Sequence, residues 1–342
     1  MRSPQSSEGE RRWAEAERDA RRVGMTQLLH KIGRAAAILF AALVLVGTAF
    51  MFTACQSSQP KVTISVSFNG KTYNLSYRLY RKFFPNTVQH FIELVDADFY
   101  DGLCFHDYDE AVGMFTGGYT YDDALVDTDT LGLSEKNYFD WVEASDVSLT
   151  QTVFGKDSDG DGVPDSDSGL NTVVGEFSQN NYSIENNDKK YGAKKEGSLV
   201  MYYTAKKGVP NTQVFTKRET RRTDVEGDAQ WYDTRSYVYN SATSLFYISF
   251  TSESSVNSEY CVFGELYDES AEETYDSLIA AIDSYISSNN LDGENEGDPS
   301  FTEEAELSVD DNAPYCAGYN LTETYDVPVE PITINWARVD RY

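Results

Sequence analysis

Five aspartates crowd the run DSDGDGVPDSD, which starts at residue 157 of this 342-residue chain. Three of them alternate with small residues, and Gly162 then allows a sharp bend of the backbone. Such a loop can place several carboxylate oxygens around one hard cation, which takes six to eight oxygen ligands. The sequence therefore predicts a calcium loop whose ligands are Asp157, Asp159, Asp161, Asp165 and Asp167.

The spacing of this loop matches known calcium motifs only in part. Its D-x-D-x-D-G core is shared with EF-hand loops, but the twelfth position is Ser168 instead of glutamate, and no flanking helices are evident. It is more similar to the calcium repeats of thrombospondin type 3, of which one unit is present. The alternative interpretation is an acidic linker without an ion.

Other residues that carry chemistry are few. The chain has three histidines, with His90 on the polar side of a predicted helix and His106 at the end of a strand, so a histidine metal site or a nucleophilic triad is not predicted. Cys104 and Cys261 lie in apolar strand patterns and are expected to be buried free thiols. A formal net charge of −28 repels phosphate backbones, which argues against a nucleic-acid partner.

The N-terminal segment predicts export. Residues 25–54 combine basic Lys31 and Arg34 with an apolar run, which is typical of a signal peptide. The following FTAC resembles a bacterial lipobox, which implies cleavage before Cys55 and a lipid on its sulfur; the alternative is an uncleaved membrane anchor. Residues 1–24 are interpreted as an upstream extension from a misassigned start, and residues 55–60 as a tether. The predicted location is extracytoplasmic, anchored to the bacterial cell membrane.

The rest of the chain, 61–342, has many strand patterns and two clear helices. Alternating residues on both sides of Asn69-Gly70 predict a hairpin with a type I′ turn. A helix after Pro85, which Asn86 can cap, and a second one with Ser270 and Glu273 as a capping box have apolar faces. Five further strands are predicted near residues 103–106, 198–203, 245–250, 260–266 and 332–339. This excess of strands favours a mainly β fold, a closed antiparallel β-barrel with two capping helices.

Three long stretches do not fit a compact core. They are polar, acidic or rich in arginine, and connections of such length are usually functional or mobile. We interpret them as insertions at about 119–174, 206–240 and 287–327.

Taken in order, these elements resemble the cyclophilin family of peptidyl-prolyl isomerases. The run PNTVQHFIELVDADFYDGLCFH resembles its helix, turn and strand, and GMFTGG is similar to its G-F-M-x-Q-G-G. GEF, GSLVM, SLFYIS, YCVFGEL and EPITINWARV resemble later family segments. The resemblance implies a cyclophilin-like barrel that binds proline-containing peptides or secreted proteins and needs no cofactor for catalysis.

The resemblance also identifies substitutions in the catalytic groove. The family arginine that follows F-H is Asp107 here, and the two groove glutamines are Thr116 and Leu245. The remaining predicted peptide-groove residues are Met114, Phe246, Tyr247 and Tyr260, where Tyr260 replaces a family histidine. An ionised aspartate donates no hydrogen bond, so we predict weak or absent isomerase activity. The alternative is a non-catalytic extracytoplasmic lipoprotein that binds peptides or proteins. Arginines of the second insertion could restore a cation: Arg218, Arg221, Arg222 and Arg235.

Overall fold

The computed structural model describes residues 57–145, 147–155, 157–165, 169–180, 182, 193–203, 213–218, 220–236, 242–254, 260–293, 298–309 and 321–342. The predictions for residues 1–24 and 25–54, for the lipidation of Cys55 and for Asp167 as a ligand lie outside these residues. Among the helices that are described, none combines the length and the apolar character needed to cross a bilayer.

The first two strands form the predicted hairpin. β1 covers Lys61–Phe68 and β2 covers Lys71–Leu79, paired antiparallel along their whole length. Asn69 and Gly70 between them both have positive φ, 45° and 70°, as a type I′ turn requires. The alternate residues Val62, Ile64 and Val66 of β1 are buried because they face the core.

The remaining elements follow in chain order. The helices are α1 (Pro85–Asp96), α2 (Tyr138–Ser145) and α3 (Glu269–Asn289), with short 3₁₀ turns at Asp123–Leu125, Ser178–Asn180 and Gly227–Trp231. The strands are β3 (Leu103–Asp109), β4 (Gly113–Tyr121), β5 (Leu133–Glu135), β6 (Val153–Phe154), β7 (Leu199–Tyr203), β8 (Gln213–Lys217), β9 (Tyr232–Ser236), β10 (Ala242–Ser249), β11 (Cys261–Leu266), β12 (Thr302–Val309), β13 (Leu321–Pro328) and β14 (Thr333–Arg341).

Nine strands form the main antiparallel sheet, in the order β10-β7-β11-β2-β1-β14-β3-β4-β5. β10, at one end of this order, also pairs with β4 near the other end. The mainly β fold predicted from the sequence is confirmed, with three helices in the described residues instead of two. The additional pairing supports the closed barrel, which stays a prediction.

The helices cover an aromatic core. Phe91 of α1 lies 5.0 Å from Phe263 and 5.4 Å from Phe246, measured between ring centroids. The sequence analysis did not predict α2, because its eight residues carry a weak apolar pattern. This helix contributes to the burial of a histidine of α1. His90, expected on the polar side of α1, is fully buried, and the Tyr138 hydroxyl lies 3.3 Å from its Nε2 atom. Both described cysteines, Cys104 and Cys261, are buried free thiols as predicted.

The helix starts differ from the predicted caps. α1 begins after Phe84, and the Asn86 side chain does not cap it; a distant carboxylate, that of Glu176, accepts hydrogen bonds there instead. α3 begins after Asp268, whose side chain accepts a hydrogen bond from the Ala271 backbone N–H at 3.1 Å. Aspartate at this position satisfies a backbone donor that the helix itself leaves unpaired.

The predicted insertions contain ordered strands. β6, β8 and β9 form a separate three-stranded sheet, and β12 and β13 form a two-stranded hairpin in full register from Thr302 opposite Pro328 to Val309 opposite Leu321. One face of this hairpin is apolar, since Ala305, Leu307 and Val327 pack against Cys104 and other residues of the main sheet. We call β12 and β13 with this packing the acidic hairpin, because its outer residues include Glu304 and Glu306.

Candidate active site

The register of three strands aligns Asp107 with two aromatic residues. Asp107 of β3 is paired with Phe115 of β4, and Phe115 is paired with Tyr247 of β10. Directly paired residues of an antiparallel sheet point to the same face. The acid at the family arginine position and two aromatic rings therefore form one row on the outer face of the sheet.

The aromatic part of this row is continuous. The ring of Phe115 lies 4.8 Å from that of Tyr247 and 5.9 Å from that of Tyr202, between centroids. Tyr247 is itself buried in a cluster with Val200 and Val262 of the neighbouring strands, and Tyr260 packs against this cluster. Tyr202 is 40% exposed, so the row offers a ligand an accessible apolar surface.

Two residues predicted for the groove face inward. Met114 is 0% exposed and Phe246 is 1% exposed, and both belong to the main hydrophobic core. Alternation along β4 places Phe115, between Met114 and Thr116, on the outer face. Phe115 thus provides the apolar surface that the sequence analysis assigned to Met114.

The residues at the two glutamine positions have different surroundings. Thr116 is fully buried, and its hydroxyl donates a hydrogen bond of 2.7 Å to the Cys104 carbonyl. Leu245 is half-buried next to Gly118. Neither side chain offers an amide group to a ligand. The Thr116 hydroxyl is already hydrogen-bonded within the sheet, and the Leu245 side chain has no polar atom.

The backbones of β4 and β10 approach each other closely at this part of the site. Gly117 has φ of +106°, and a Cβ atom built on it would lie 2.2 Å from the Ser244 carbonyl oxygen. The Ser244 hydroxyl in turn donates to the Gly117 carbonyl at 2.6 Å. Only glycine permits β4 and β10 to meet this closely.

A cavity of about 270 Å³ opens beside the row. Four of the seven predicted catalytic or groove residues line it, namely Asp107, Thr116, Leu245 and Phe246, whereas Met114, Tyr247 and Tyr260 do not. The acidic hairpin supplies the opposite wall through β13. The lining residues are His106, Asp107, Phe115, Thr116, Gly117, Gly118, Tyr119, Glu135, Lys136, Asn137, Tyr138, Phe139, Tyr202, Thr243, Ser244, Leu245, Phe246, Glu323, Thr324 and Tyr325.

Asp107 joins the main sheet to the hairpin. One oxygen of its carboxylate accepts a hydrogen bond of 2.9 Å from the backbone N–H of Asp326. Burial raises the pKa of Asp107 to about 6, and the negative charges of Asp326, Asp109 and Glu323 act in the same direction. The group is therefore largely ionised at neutral pH and acts as a hydrogen-bond acceptor.

Aromatic contacts also hold the acidic hairpin against the main sheet next to Asp107. The ring of Tyr325 lies 5.0 Å from that of His106 and 5.5 Å from that of Tyr119. Burial lowers the pKa of His106 to about 3, so this histidine is neutral at physiological pH. Its Nδ1 atom has no hydrogen-bond partner within the part of the chain that is described.

A match between this chain and a family model decides the family assignment. The family model described as cyclophilin type peptidyl-prolyl cis-trans isomerase/CLD matches residues 62–280, which is more than half of the chain. The chain belongs to the cyclophilin family. A search of curated proteins finds no match.

Similar solved structures carry the same description. A cyclophilin type peptidyl-prolyl cis-trans isomerase of Cryptosporidium parvum has 14% identity and a TM-score of 0.34, with 83% of this chain and 99% of that chain covered. A second structure of that protein, determined in the presence of the dipeptide Ala-Pro, has the same identity and TM-score, with coverage of 82% and 99%. The Mimivirus cyclophilin has 11% identity and a TM-score of 0.36, with coverage of 84% and 92%.

The arginines of the second insertion form local pairs in this cyclophilin. One guanidinium nitrogen of Arg218, Nη1, donates to both carboxylate oxygens of Asp233 at 2.8 and 2.7 Å, and Arg235 contacts the same carboxylate at 3.3 Å. Arg222 pairs with Asp224, and Arg221 donates to Gln230 at 2.6 Å. None of the four arginines is among the described residues that line the cavity.

Lys136 is the one lysine or arginine among the described lining residues. Its ammonium group donates a hydrogen bond to the Phe99 carbonyl and lies 4.5 Å from the centroid of the Phe99 ring. Burial lowers its pKa. This cation is held at the edge of the cavity by its own contacts.

The aspartate loop lies in the first insertion. Ligand oxygens of Asp157, Asp159 and Asp161 lie within 4.8 Å of one another. Asp165 has a different contact, because its carboxylate accepts hydrogen bonds from the Ser158 backbone N–H and hydroxyl at 2.9 and 2.6 Å. The Asp157 carboxylate also accepts hydrogen bonds from the backbone N–H groups of Gly160 and Gly162, at 2.6 and 3.0 Å. Three of the five predicted ligands thus lie close together, and calcium binding stays a prediction.

Sequence reasoning missed three features of the site. Phe115 was not assigned to the groove, although its pairing with Tyr247 and, past a bulge in β3, with Asp107 sets it on the outer face. The acidic hairpin was interpreted as an insertion, although Ala305 and Leu307 alternate with glutamates and Tyr325 and Val327 alternate likewise. That period of two was the signal for a half-buried strand pair. The third feature, the carboxylate cap of α1, has no local sequence signal.

Proposed function

We propose that this cyclophilin is an extracytoplasmic, surface-anchored protein that acts on proline-containing segments of secreted polypeptides with weak or absent isomerase activity. The observation that carries the proposal is the hydrogen bond between the Asp107 carboxylate and the Asp326 backbone N–H. The position where the family has an arginine thus holds an acceptor that is already bound to the hairpin.

The physical reason is the nature of the reaction. Rotation about an X-Pro bond faces a barrier of about 18–20 kcal/mol, and a twisted amide is stabilised by placed hydrogen-bond donors and by exclusion of water. Loss of one preorganised donor costs about 3–4 kcal/mol of transition-state stabilisation in other enzymes. Asp107 offers no N–H group, and the four arginines of the second insertion are paired with other residues.

An isomerisation assay tests this proposal. The full chain is mixed with a proline tetrapeptide, and cis-trans exchange is followed by NMR, which needs no coupling protease. We expect a rate close to the uncatalysed one and a measurable gain in Asp107→Arg. Catalysis well above background that persists in Asp107→Ala would overturn the proposal.

A second candidate function is peptide binding without turnover. The neighbouring rings of Phe115 and Tyr202, which both line the cavity, favour it, because an aromatic surface binds a proline ring without any need for a donor. Saturable binding of the tetrapeptide in the same NMR titration, with unchanged exchange, would support this candidate. The absence of both binding and exchange would contradict both candidates.

Anchoring by lipidated Cys55 is part of the proposal and rests on the sequence pattern of residues 25–54. Cys55→Ala should release the protein from the membrane fraction of an expressing bacterium. Mass spectrometry of the wild-type N-terminal peptide should show a diacylglyceryl cysteine. Retention of Cys55→Ala in the membrane would instead favour an uncleaved anchor.

A further inference from the structure

The cavity beside Asp107 has walls from two sources with different chemistry. The main sheet supplies Asp107 and Phe115, within the stretch that matches the cyclophilin family. The acidic hairpin supplies Glu323 and Tyr325, which lie beyond residue 280, where that match ends. A ligand preference set by the hairpin would therefore come from residues outside the stretch that the family model matches.

The balance of charge in the cavity is negative. Three carboxylates line it, those of Asp107, Glu135 and Glu323, against the single ammonium group of Lys136 among the described lining residues. The Lys136 ammonium already donates to the Phe99 carbonyl. Asp107 and Glu323 are close enough for their charges to interact, because Glu323 contributes to the raised pKa of Asp107.

Aromatic rings surround these carboxylates. Phe115, Tyr119, Tyr202 and Tyr325 all line the cavity. A cation over an aromatic face is attracted by the ring, and more strongly when water is excluded. Carboxylates next to aromatic rings match a basic side chain with an aliphatic stem, because its charge would face Asp107 and Glu323 while its stem contacts the rings.

We propose, on the basis of the proposed function, that the cavity selects an arginine or lysine side chain adjacent to the proline of its ligand, and that Glu323 and Asp107 determine this preference. The rings of Phe115 and Tyr202 hold the proline, and the basic side chain enters between the main sheet and the acidic hairpin. The hairpin is thus a specificity element that this cyclophilin adds to its groove.

Isothermal titration calorimetry of the full chain with three peptides tests the inference. The peptides are Ala-Arg-Pro-Arg-Ala, the neutral Ala-Nle-Pro-Nle-Ala with norleucine, and Ala-Glu-Pro-Glu-Ala. We expect the arginine peptide to bind about tenfold more tightly than the norleucine peptide, as a desolvated cation contact predicts. The glutamate peptide should bind most weakly.

Two variants separate the cavity from the general negative charge of the protein. Glu323→Gln should reduce the preference for arginine to about threefold or less, and Asp107→Asn should reduce it in the same direction. Glu306→Gln on the exposed side of the same hairpin removes the same charge and should leave the preference unchanged. Circular dichroism verifies that each variant is folded.

The possible failures are distinguishable. Equal affinity for the arginine and norleucine peptides would overturn the inference and leave the proposed function intact. Equal loss of preference in Glu323→Gln and Glu306→Gln would overturn it too, since attraction would then come from the overall charge. If none of the peptides binds, both the proposed function and the inference fail.

Discussion

The carboxylate of Glu176 caps the first helix by accepting the backbone N–H of Thr87 at 3.0 Å. Its second oxygen accepts the Asn86 N–H at 3.1 Å. Glu176 is 2% exposed and lies 89 residues further along the chain. A long-range contact therefore satisfies donors that a helix start leaves unpaired.

Removal of this cap should destabilise the domain. Glu176→Ala leaves the buried Thr87 N–H and the part-buried Asn86 N–H without this acceptor, and we expect the free energy of unfolding to fall by about 1–3 kcal/mol. Urea denaturation followed by circular dichroism measures the change. Glu143→Ala, at an exposed position of α2, is the control and should change stability by less than about 0.5 kcal/mol.

The same residue should give the stability a pH dependence. Burial raises the pKa of Glu176 to about 7, so the folded state binds its proton more tightly than the unfolded state does. The stability that this proton provides is fully present below the unfolded pKa of about 4.3 and is lost as the pH rises through 7.

Comparison with Glu176→Gln isolates this contribution. The unfolding free energy of the wild type, relative to that of Glu176→Gln, should decrease as the pH rises from 5 to 7.5. Asp107 acts in the same direction, while His90 and His106, with pKa values lowered to about 4 and about 3, act in the opposite direction. A difference that stays constant with pH would show that Glu176 titrates normally.

The contact between Asp107 and the hairpin should be visible in hydrogen exchange. Asp107→Ala removes the acceptor of the Asp326 N–H, so this amide should exchange about tenfold faster, as the loss of about 1.4 kcal/mol of protection implies. Amides of β1 should be unchanged. Glu306→Ala serves as the matched control, and equal acceleration in it would mean that the hairpin opens for another reason.

The approach of β4 to β10 should not tolerate a methyl group. In Gly117→Ala the new Cβ would overlap the Ser244 carbonyl, and we expect a loss of about 2–4 kcal/mol in unfolding free energy. Gly102 has a similar positive φ of +78°, but no atom lies within 4 Å of the position that its new Cβ would take, so Gly102→Ala should cost only about 1–2 kcal/mol. Equal losses of unfolding free energy in the two variants would show that the positive φ, and not the overlap with Ser244, causes the whole destabilisation.

Calcium binding by the aspartate loop stays a prediction and has a direct test. Millimolar calcium should raise the melting temperature of the full chain and give a heat signal in calorimetry, as expected for a site of extracellular affinity. Asp159→Ala should abolish both effects, because Asp159 belongs to the grouped carboxylates, whereas Asp140→Ala on α2 should not. Unchanged calcium uptake in Asp159→Ala would rule out this loop.

Much of the fold follows from local patterns. The Asn69-Gly70 hairpin and the apolar stripe of α1 are encoded within a few residues, and the sequence predicted both. The strands near Leu103, Leu199 and Cys261 were also placed within one or two residues of their observed starts. Period-two and helical spacing determine such elements before any tertiary contact forms.

The candidate site was predicted less completely because it depends on register. The bulge between Phe105 and Asp107 in β3 sets Asp107 opposite Phe115, and no local pattern of the sequence predicts that register. The hairpin wall and the Glu176 cap depend on contacts between residues far apart in sequence. Pairings of this kind are set by the packing of the whole domain.

The acidic hairpin forms its own two-stranded sheet and meets the main sheet through side-chain packing and the Asp326 amide. Among the described strands, no pairing of the main sheet depends on the hairpin, so its outer residues can change without altering the register of the nine strands. Grafting hairpins with other charges onto the same framework should yield a series of proteins with altered ligand choice and an intact nine-stranded scaffold.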